Sequence, residues 1–124
     1  MLKIILCEDD PLLRKTLKEF LNSLGHEVIE AVDGTEALDF LASQSVDMIV
    51  SDIHMPSMGG MALLEKLRSD KNMVPFILMT GKPEIESFLK GMHNFGAFDY
   101  IQKPFDFDLL VKMIGRLENK NHIH

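Results

Sequence analysis

The chain has 124 residues with a formal net charge of -6 at pH 7, and 46% of its residues are hydrophobic. This length predicts one globular domain, while the acidic balance argues against direct binding to nucleic acid or to an anionic membrane. Apolar runs are too short for a membrane span, and the lone cysteine, Cys7, excludes an internal disulfide, so we expect a reducing, cytoplasmic location.

Apolar runs typical of strands alternate with segments of helical periodicity along the chain. In chain order the predictions are a strand at 3–7, a helix within 9–25, a strand at 27–31, a helix within 33–43, a strand at 47–51, a helix at 61–69, a strand at 74–80, a helix within 83–96, a strand at 98–102 and a helix within 106–119. Strict alternation predicts an α/β fold with a five-stranded, mainly parallel, doubly wound sheet and helices on both faces.

Local signals mark the ends of several predicted helices. Asp10 is a candidate N-cap, Pro11 suits the first helical position, and Gly25 suits a left-handed stop. Asp106 is a candidate N-cap for the last helix. The runs at 3–7, 48–51 and 76–79 are continuously apolar, as central strands are, whereas 27–31 alternates as an edge strand does.

Polar residues follow the predicted strands at the edge of the sheet where ligands of such folds bind. They are Glu8, Asp9 and Asp10 after the first strand, Asp52 after the third, Thr80 and Gly81 after the fourth, and Lys103 with Pro104 after the fifth. Each residue taken alone is compatible with a turn or a helix cap. Their joint occurrence at the ends of four strands favours a site.

Carboxylates brought together at this edge need a cation nearby, because like charges repel in a partly desolvated cleft. Oxygen ligands of this kind suit Mg²⁺, and Lys103 supplies a second positive charge. A carboxylate next to Mg²⁺, an ammonium and a hydroxyl is typical of phosphoryl transfer to an Asp nucleophile. Asp52 is the candidate nucleophile.

The motifs "ILCEDDPLLR", "DMIVSDIHMPSMGG", "FILMTG" and "DYIQKPF" together resemble the receiver domain of bacterial two-component response regulators, the CheY-like family. The resemblance implies a flavodoxin-like (β/α)5 fold with strand order 2-1-3-4-5. It assigns residues 1–120 to the receiver domain and leaves 121–124 as a frayed polar tail.

The same resemblance implies a role for each matching residue. Asp52 is the expected phosphoacceptor, and Thr80 and Lys103 contact the phosphoryl group. The expected ligands of Mg²⁺, or of Mn²⁺ in its place, are Glu8, Asp9, Asp52 and the backbone carbonyl of His54. Thr80 and Tyr100 form the switch, while Gly81 leaves room for the phosphoryl group, and His54 and Lys82 influence its lifetime.

Expected partners are a sensor histidine kinase or a phosphotransfer protein, and a downstream target or missing output domain of unknown identity. The output surface is expected to comprise the fourth helix, the fifth strand and the last helix, with a monomer or a weak dimer formed through it. Beyond autocatalytic phosphotransfer and slow self-dephosphorylation, we expect no enzyme activity. The alternative, an aspartyl-phosphate phosphohydrolase, requires a second Asp where this chain has His54.

Overall fold

The computed structural model describes residues 1–81 and 99–122, except for the side chains of residue 117 and residues 119–122. The fourth predicted helix, at 83–96, lies outside the described residues, as does Lys82. The described elements are β1 (Lys3–Cys7), α1 (Pro11–Ser23), β2 (Glu27–Ala31), α2 (Gly34–Ser43), β3 (Met48–Asp52), α3 (Gly60–Ser69), β4 (Phe76–Thr80), β5 (Asp99–Gln102) and a C-terminal helix (Phe107–His122).

The five strands form one sheet in the order β2-β1-β3-β4-β5, and every neighbouring pair is parallel. This arrangement confirms the predicted fold class and strand order. The alternating segment at 27–31 forms the edge strand β2, and the continuously apolar runs form the central strands β1, β3 and β4, as predicted. All residues of β3 and β4 are buried.

Three strand limits differ from the prediction within the described residues, and one of them is the start of β3, at Met48 rather than at residue 47. β4 begins at Phe76 rather than at residue 74, because Pro75 has no N–H to contribute to the ladder. β3 extends to Asp52, where the backbone still pairs with Met79 of β4. The candidate nucleophile is therefore the last residue of a central strand and not a residue of the loop that follows.

Side chains alternate between the two faces of the sheet, which builds two cores. One core contains Ile4 and Leu6 of β1 with helical residues Leu17, Leu21, Leu110, Met113 and Ile114. The other contains Ile5 and Cys7 with helical residues Ala37, Leu63, Leu64 and Leu67. Helices therefore cover both faces, as predicted.

Asp10 and Asp106 cap α1 and the C-terminal helix, as the sequence predicts. Asp10 accepts from the backbone N–H groups of Leu12 and Leu13 at 3.0 and 3.4 Å, and Pro11 occupies the first turn of α1. Gly25 has φ +93°, the left-handed conformation that ends the first helical segment. Asp106 accepts from the N–H of Asp108 at 2.9 Å.

The C-terminal helix continues through residue 122, so two of the four residues expected in a polar tail belong to the helix. The cysteine side chain is fully buried, and burial raises the pKa of Cys7 to about 12. The thiol is therefore protonated at neutral pH and fills core volume. None of the helices in the described part of the chain is long and apolar enough to span a bilayer.

Candidate functional site

The sheet brings the polar residues that follow its strands to one edge. Cys7 pairs with Ser51, so Glu8 and Asp52 are the next residues along neighbouring strands. Thr80 is the last residue of β4 and pairs with Gln102 of β5, which places Lys103 immediately beyond it. Four strands therefore deliver these side chains to one carboxyl-terminal edge, where open α/β sheets bind ligands.

Three carboxylates form a compact cluster at this edge. One oxygen each from Glu8, Asp9 and Asp52 lies within 4.8 Å of the other two. Glu8 is only 1% exposed and Asp52 9%, whereas Asp9 is exposed to solvent. The cluster therefore has a buried side against the core and an open side toward solvent.

Lys103 joins the two buried carboxylates of the cluster. Its Nζ donates to Glu8 Oε1 at 2.8 Å and to Asp52 Oδ2 at 3.1 Å. Its backbone N–H donates to the Thr80 carbonyl at 2.8 Å, and the Lys103–Pro104 peptide is cis. The loop after β5 thus holds the ammonium at the edge of the sheet, between the acids.

Burial and the charges of this network shift two of its pKa values. Burial raises the pKa of Glu8 above its ordinary value, although the hydrogen bonds from Lys103 and from the Asp10 N–H oppose the change. Burial alone would lower the pKa of Lys103, but its hydrogen bond to Glu8 and the charges of Asp52 and Glu8 raise that pKa. Lys103 therefore remains charged at neutral pH.

Glu8→Gln is expected to raise the free energy of unfolding of the metal-free chain, with a gain that grows as the pH rises above 4.5. A raised pKa means that the folded chain holds the Glu8 proton more tightly than the unfolded chain. The stability that comes from this tighter proton binding is fully present below the ordinary Glu8 pKa. It is lost as the pH rises through the higher pKa that Glu8 has in the folded chain. Urea denaturation with EDTA from about pH 4 to about pH 8 measures this.

Glu65→Gln, at an exposed position of α3, provides the matched control and should follow wild type at every pH. If Glu8→Gln differed from wild type by the same amount at each pH, burial of the Glu8 charge would not be the source of the effect.

The donor set suits a hard divalent cation. Carboxylate oxygens are the protein ligands that Mg²⁺ prefers, and this ion retains several waters, which the open side at Asp9 would accommodate. The three carboxylates carry more negative charge than the single Lys103 ammonium offsets. The cluster could therefore hold a metal ion, as the sequence predicts.

Asp10 lies beside the acidic cluster and has another structural role. Its carboxylate caps α1, and its backbone N–H donates to Glu8 Oε2 at 3.1 Å. Of the three consecutive acids, Glu8 and Asp9 thus belong to the cluster, in agreement with the expectation that Asp10 is the cap.

The remaining expected site residues in the described part of the chain are Thr80, Gly81, His54 and Tyr100. Thr80 is fully buried, and its hydroxyl donates to the Gly81 carbonyl at 2.8 Å. The backbone N–H of His54 lies 3.4 Å from Asp52 Oδ1, and its side chain is exposed. Tyr100 is half-buried and packs against the core on the α2 and α3 side. The switching roles of Thr80 and Tyr100 stay predictions, as do the roles of His54 in metal binding and phosphoryl lifetime.

One contact at the site has no counterpart in the sequence analysis. Arg14 of α1 donates from Nη1 to the backbone carbonyl of Glu8 at 2.8 Å, and its Nε lies 3.4 Å from Glu30 Oε1 on β2. A signal existed in the sequence, since an Arg one helical turn after the cap Asp10 lies over the loop that precedes the helix. Its carbonyl partner and its carboxylate partner could not be read from that spacing.

Residues 4–115 match the family model described as the response regulator receiver domain. The transcriptional regulatory protein CrdR of Helicobacter pylori is 38% identical over 122 residues, which are 98% of this chain and 57% of CrdR. The DNA-binding transcriptional regulator NtrC of Escherichia coli is 37% identical over 109 residues, 88% of this chain and 23% of NtrC. The chain thus spans just over half of CrdR and about a quarter of NtrC.

Solved structures give the same picture. A receiver domain of Francisella response regulator 1452 has a TM-score of 0.89 and 28% identity, covering 98% of this chain and 99% of that one. A response regulator receiver domain protein from Clostridium thermocellum has a TM-score of 0.90 and 26% identity, covering 99% and 98%. The chemotaxis response regulator CheY4 of Vibrio cholerae has a TM-score of 0.83 and 30% identity, covering 94% and 98%.

Proposed function

Because the chain belongs to the response regulator receiver domain family of two-component signalling, we propose that Asp52 accepts a phosphoryl group from a phosphohistidine of a sensor histidine kinase or phosphotransfer protein. One observation carries the assignment: Asp52 ends a central strand within the cluster that contains Asp9, and its Oδ2 lies 3.1 Å from the Lys103 ammonium. The domain we propose comprises residues 1–120.

In the transfer, an oxygen of Asp52 bonds to phosphorus as the phosphorus–nitrogen bond of the donor breaks. The electron pair returns to the imidazole, which takes up a proton from water, and the product is an acyl phosphate. Lys103 neutralises charge on the phosphoryl oxygens throughout, because its ammonium is already held beside the nucleophile. No covalent chemistry is required of any other side chain.

Glu8, Asp9, Asp52 and the His54 carbonyl would hold the divalent ion, Mg²⁺ or Mn²⁺. Bound there, the ion supplies positive charge that lets an anionic phosphoryl donor approach a carboxylate. Asp9 is the open member of the cluster and would ligate directly. Glu8 is nearly fully buried and hydrogen-bonded to Lys103, which suits contact through a water molecule.

The phosphoryl group adds charge and acceptor oxygens beside Thr80. We propose that the Thr80 hydroxyl leaves the Gly81 carbonyl, 2.8 Å away, to donate to these oxygens, and that Tyr100 turns inward into the space it vacates. The change is a shift between two packings. The output surface comprises β5, the C-terminal helix and the fourth predicted helix, which lies outside the described residues.

His54 and Lys82 are proposed to influence the access of hydrolytic water, and Gly81 to leave room for the phosphoryl group. The chain is proposed to act by autocatalytic transfer and slow self-dephosphorylation. An aspartyl-phosphate phosphohydrolase is disfavoured, because His54 occupies the position where such enzymes place an acidic residue.

CrdR and NtrC are transcriptional regulators longer than this chain. We propose that the receiver acts either on a separate target or on an attached output domain, as a monomer or as a weak dimer through the output surface. A cytoplasmic location and a lack of direct nucleic-acid contact by this domain are proposed from its composition.

Acetyl phosphate with Mg²⁺ is expected to add one phosphoryl group to the chain, and EDTA to reduce the addition strongly. The physical reason is that the uncompensated acidic cluster repels the donor when the ion is removed. Intact-mass spectrometry measures the product. Equal phosphorylation with Mg²⁺ and with EDTA would contradict the proposed metal dependence.

A further inference from the structure

Arg14 contacts the loop that carries the acidic pair without contacting the carboxylates of the cluster in the hydrogen bonds described. Its guanidinium donates to the Glu8 backbone carbonyl at 2.8 Å and lies 3.4 Å from Glu30. Its side chain is 19% exposed, against 38% for Lys18, which also contacts Glu30. Arg14 is therefore a largely buried link between α1, β2 and the loop after β1.

The carbonyl that Arg14 binds belongs to the peptide joining Glu8 to Asp9. The N–H of Glu8 donates to the Ala31 carbonyl of β2 at 3.1 Å, so its preceding peptide is still held by the sheet. The peptide between Glu8 and Asp9 lies beyond the end of β1. A charge-assisted hydrogen bond from Arg14 defines the direction of its carbonyl. Rotation of that peptide plane would move the Asp9 carboxylate relative to Asp52.

We propose that Arg14 is a positioning residue that orients the Glu8–Asp9 peptide and so pre-sets the Asp9 carboxylate for the divalent ion. This inference rests on the proposed function. Glu30 is the anchor of the arrangement, because it holds the Nε side of the guanidinium while Nη1 reaches the carbonyl. The planar fork of Arg suits two acceptors at once, which a Lys ammonium on a flexible stem matches poorly.

The sign of the effect separates positioning from simple electrostatics. Arg14 is a cation near an acidic cluster, so its charge alone disfavours a divalent cation, and its removal would tighten Mg²⁺ binding. Positioning predicts the opposite, since losing a group that orients a ligand typically weakens metal affinity about 10-fold to 100-fold. The two explanations cannot give the same result.

The experiment is isothermal titration calorimetry of MgCl₂ into the metal-free full chain. Arg14→Gln is expected to weaken Mg²⁺ binding about 10-fold. The matched control is Lys18→Gln, which removes one cation from the same helix and one partner from the same Glu30, and it should bind within about 2-fold of wild type. Circular dichroism at the titration temperature verifies that each variant is folded.

Arg14→Lys retains the positive charge and tests whether the planar guanidinium, which reaches two acceptors at once, is required. It should still bind Mg²⁺ about 3-fold or more weakly than wild type, because one ammonium cannot orient the carbonyl and bind Glu30 as the guanidinium does. It also carries the test if Arg14→Gln fails to fold. In NMR spectra of the metal-free chain, the chemical shift of the Asp9 backbone amide should change in either Arg14 variant. It should stay the same in Lys18→Gln.

Unchanged or tighter Mg²⁺ binding in the Arg14 variants, with wild type binding normally, would overturn the positioning role and leave the proposed function intact. A wild-type chain that binds no Mg²⁺ at millimolar concentration would overturn both. Weaker binding by Lys18→Gln as well as by Arg14→Gln would assign the effect to Glu30, which both side chains contact, and would also overturn it.

Discussion

Asp52→Asn is expected to abolish phosphorylation of the chain by acetyl phosphate and Mg²⁺. The substitution conserves shape at the end of β3, where Asp52 is 9% exposed, but an uncharged amide does not attack phosphorus as a carboxylate does. Its carbonyl can still accept a hydrogen bond from the Lys103 ammonium, so the fold should be preserved. Intact mass after incubation gives the result directly.

Asp10→Asn is the matched control for this loss. Asp10 is two positions from Glu8 but caps α1, and Asn caps a helix about as well as Asp. This variant should be phosphorylated as wild type is. A phosphoryl group that persisted on Asp52→Asn, or disappeared from Asp10→Asn, would assign the nucleophile to another acid of the edge.

Lys103→Met is expected to slow phosphorylation about 100-fold, the usual scale for removing one group that stabilises developing charge. Met conserves much of the length of the side chain and leaves Asp52 without the ammonium now 3.1 Å from its Oδ2. Mg²⁺ binding should be retained or tightened, because Lys103 contacts two of the carboxylates that would hold the ion. The phosphorylation rate should therefore fall without any loss of Mg²⁺ affinity.

The rate is measured from intact mass over time, and metal affinity by calorimetry. The chain has one Tyr and no Trp, so intrinsic fluorescence reports on Tyr100 alone and tests the proposed switch without a label. Lys66→Met, which removes an exposed ion pair with Asp70 on α3, should match wild type in all three measurements. A Lys103→Met chain with a wild-type rate and a normal Tyr100 response would refute the role of this ammonium.

Much of the fold could be predicted because its signals are local. Apolar runs at 3–7, 48–51 and 76–79 and the alternating run at 27–31 identify strands by the burial their positions require. At the ends of α1, Asp10 accepts from free N–H groups, Pro11 has no N–H that needs a partner, and the Gly25 N–H donates to the Asn22 carbonyl. These local effects act wherever that helix packs. The resemblance to receiver domains then supplied the strand order, which the local patterns do not contain.

The strand limits show where local signals stop. Asp52 pairs with Met79 and belongs to β3, although the apolar run that predicts the strand ends earlier. Residues 121 and 122 are polar, yet the backbone of the C-terminal helix continues through them. Both limits depend on hydrogen bonds with neighbouring backbone, which composition reflects only weakly.

By itself the sequence determined the five strands, the caps of α1 and the C-terminal helix, and the residue types available at the end of each strand. Only the tertiary structure decided that the Lys103 ammonium reaches Glu8 across 95 positions of chain, that Glu8 is buried while Asp9 is open, and that Arg14 binds the peptide between them. The physical reason is the sequence separation over which each kind of interaction acts. Periodicity and capping act over one or two helical turns, whereas these contacts exist only after parallel pairing brings the ends of distant strands to one edge.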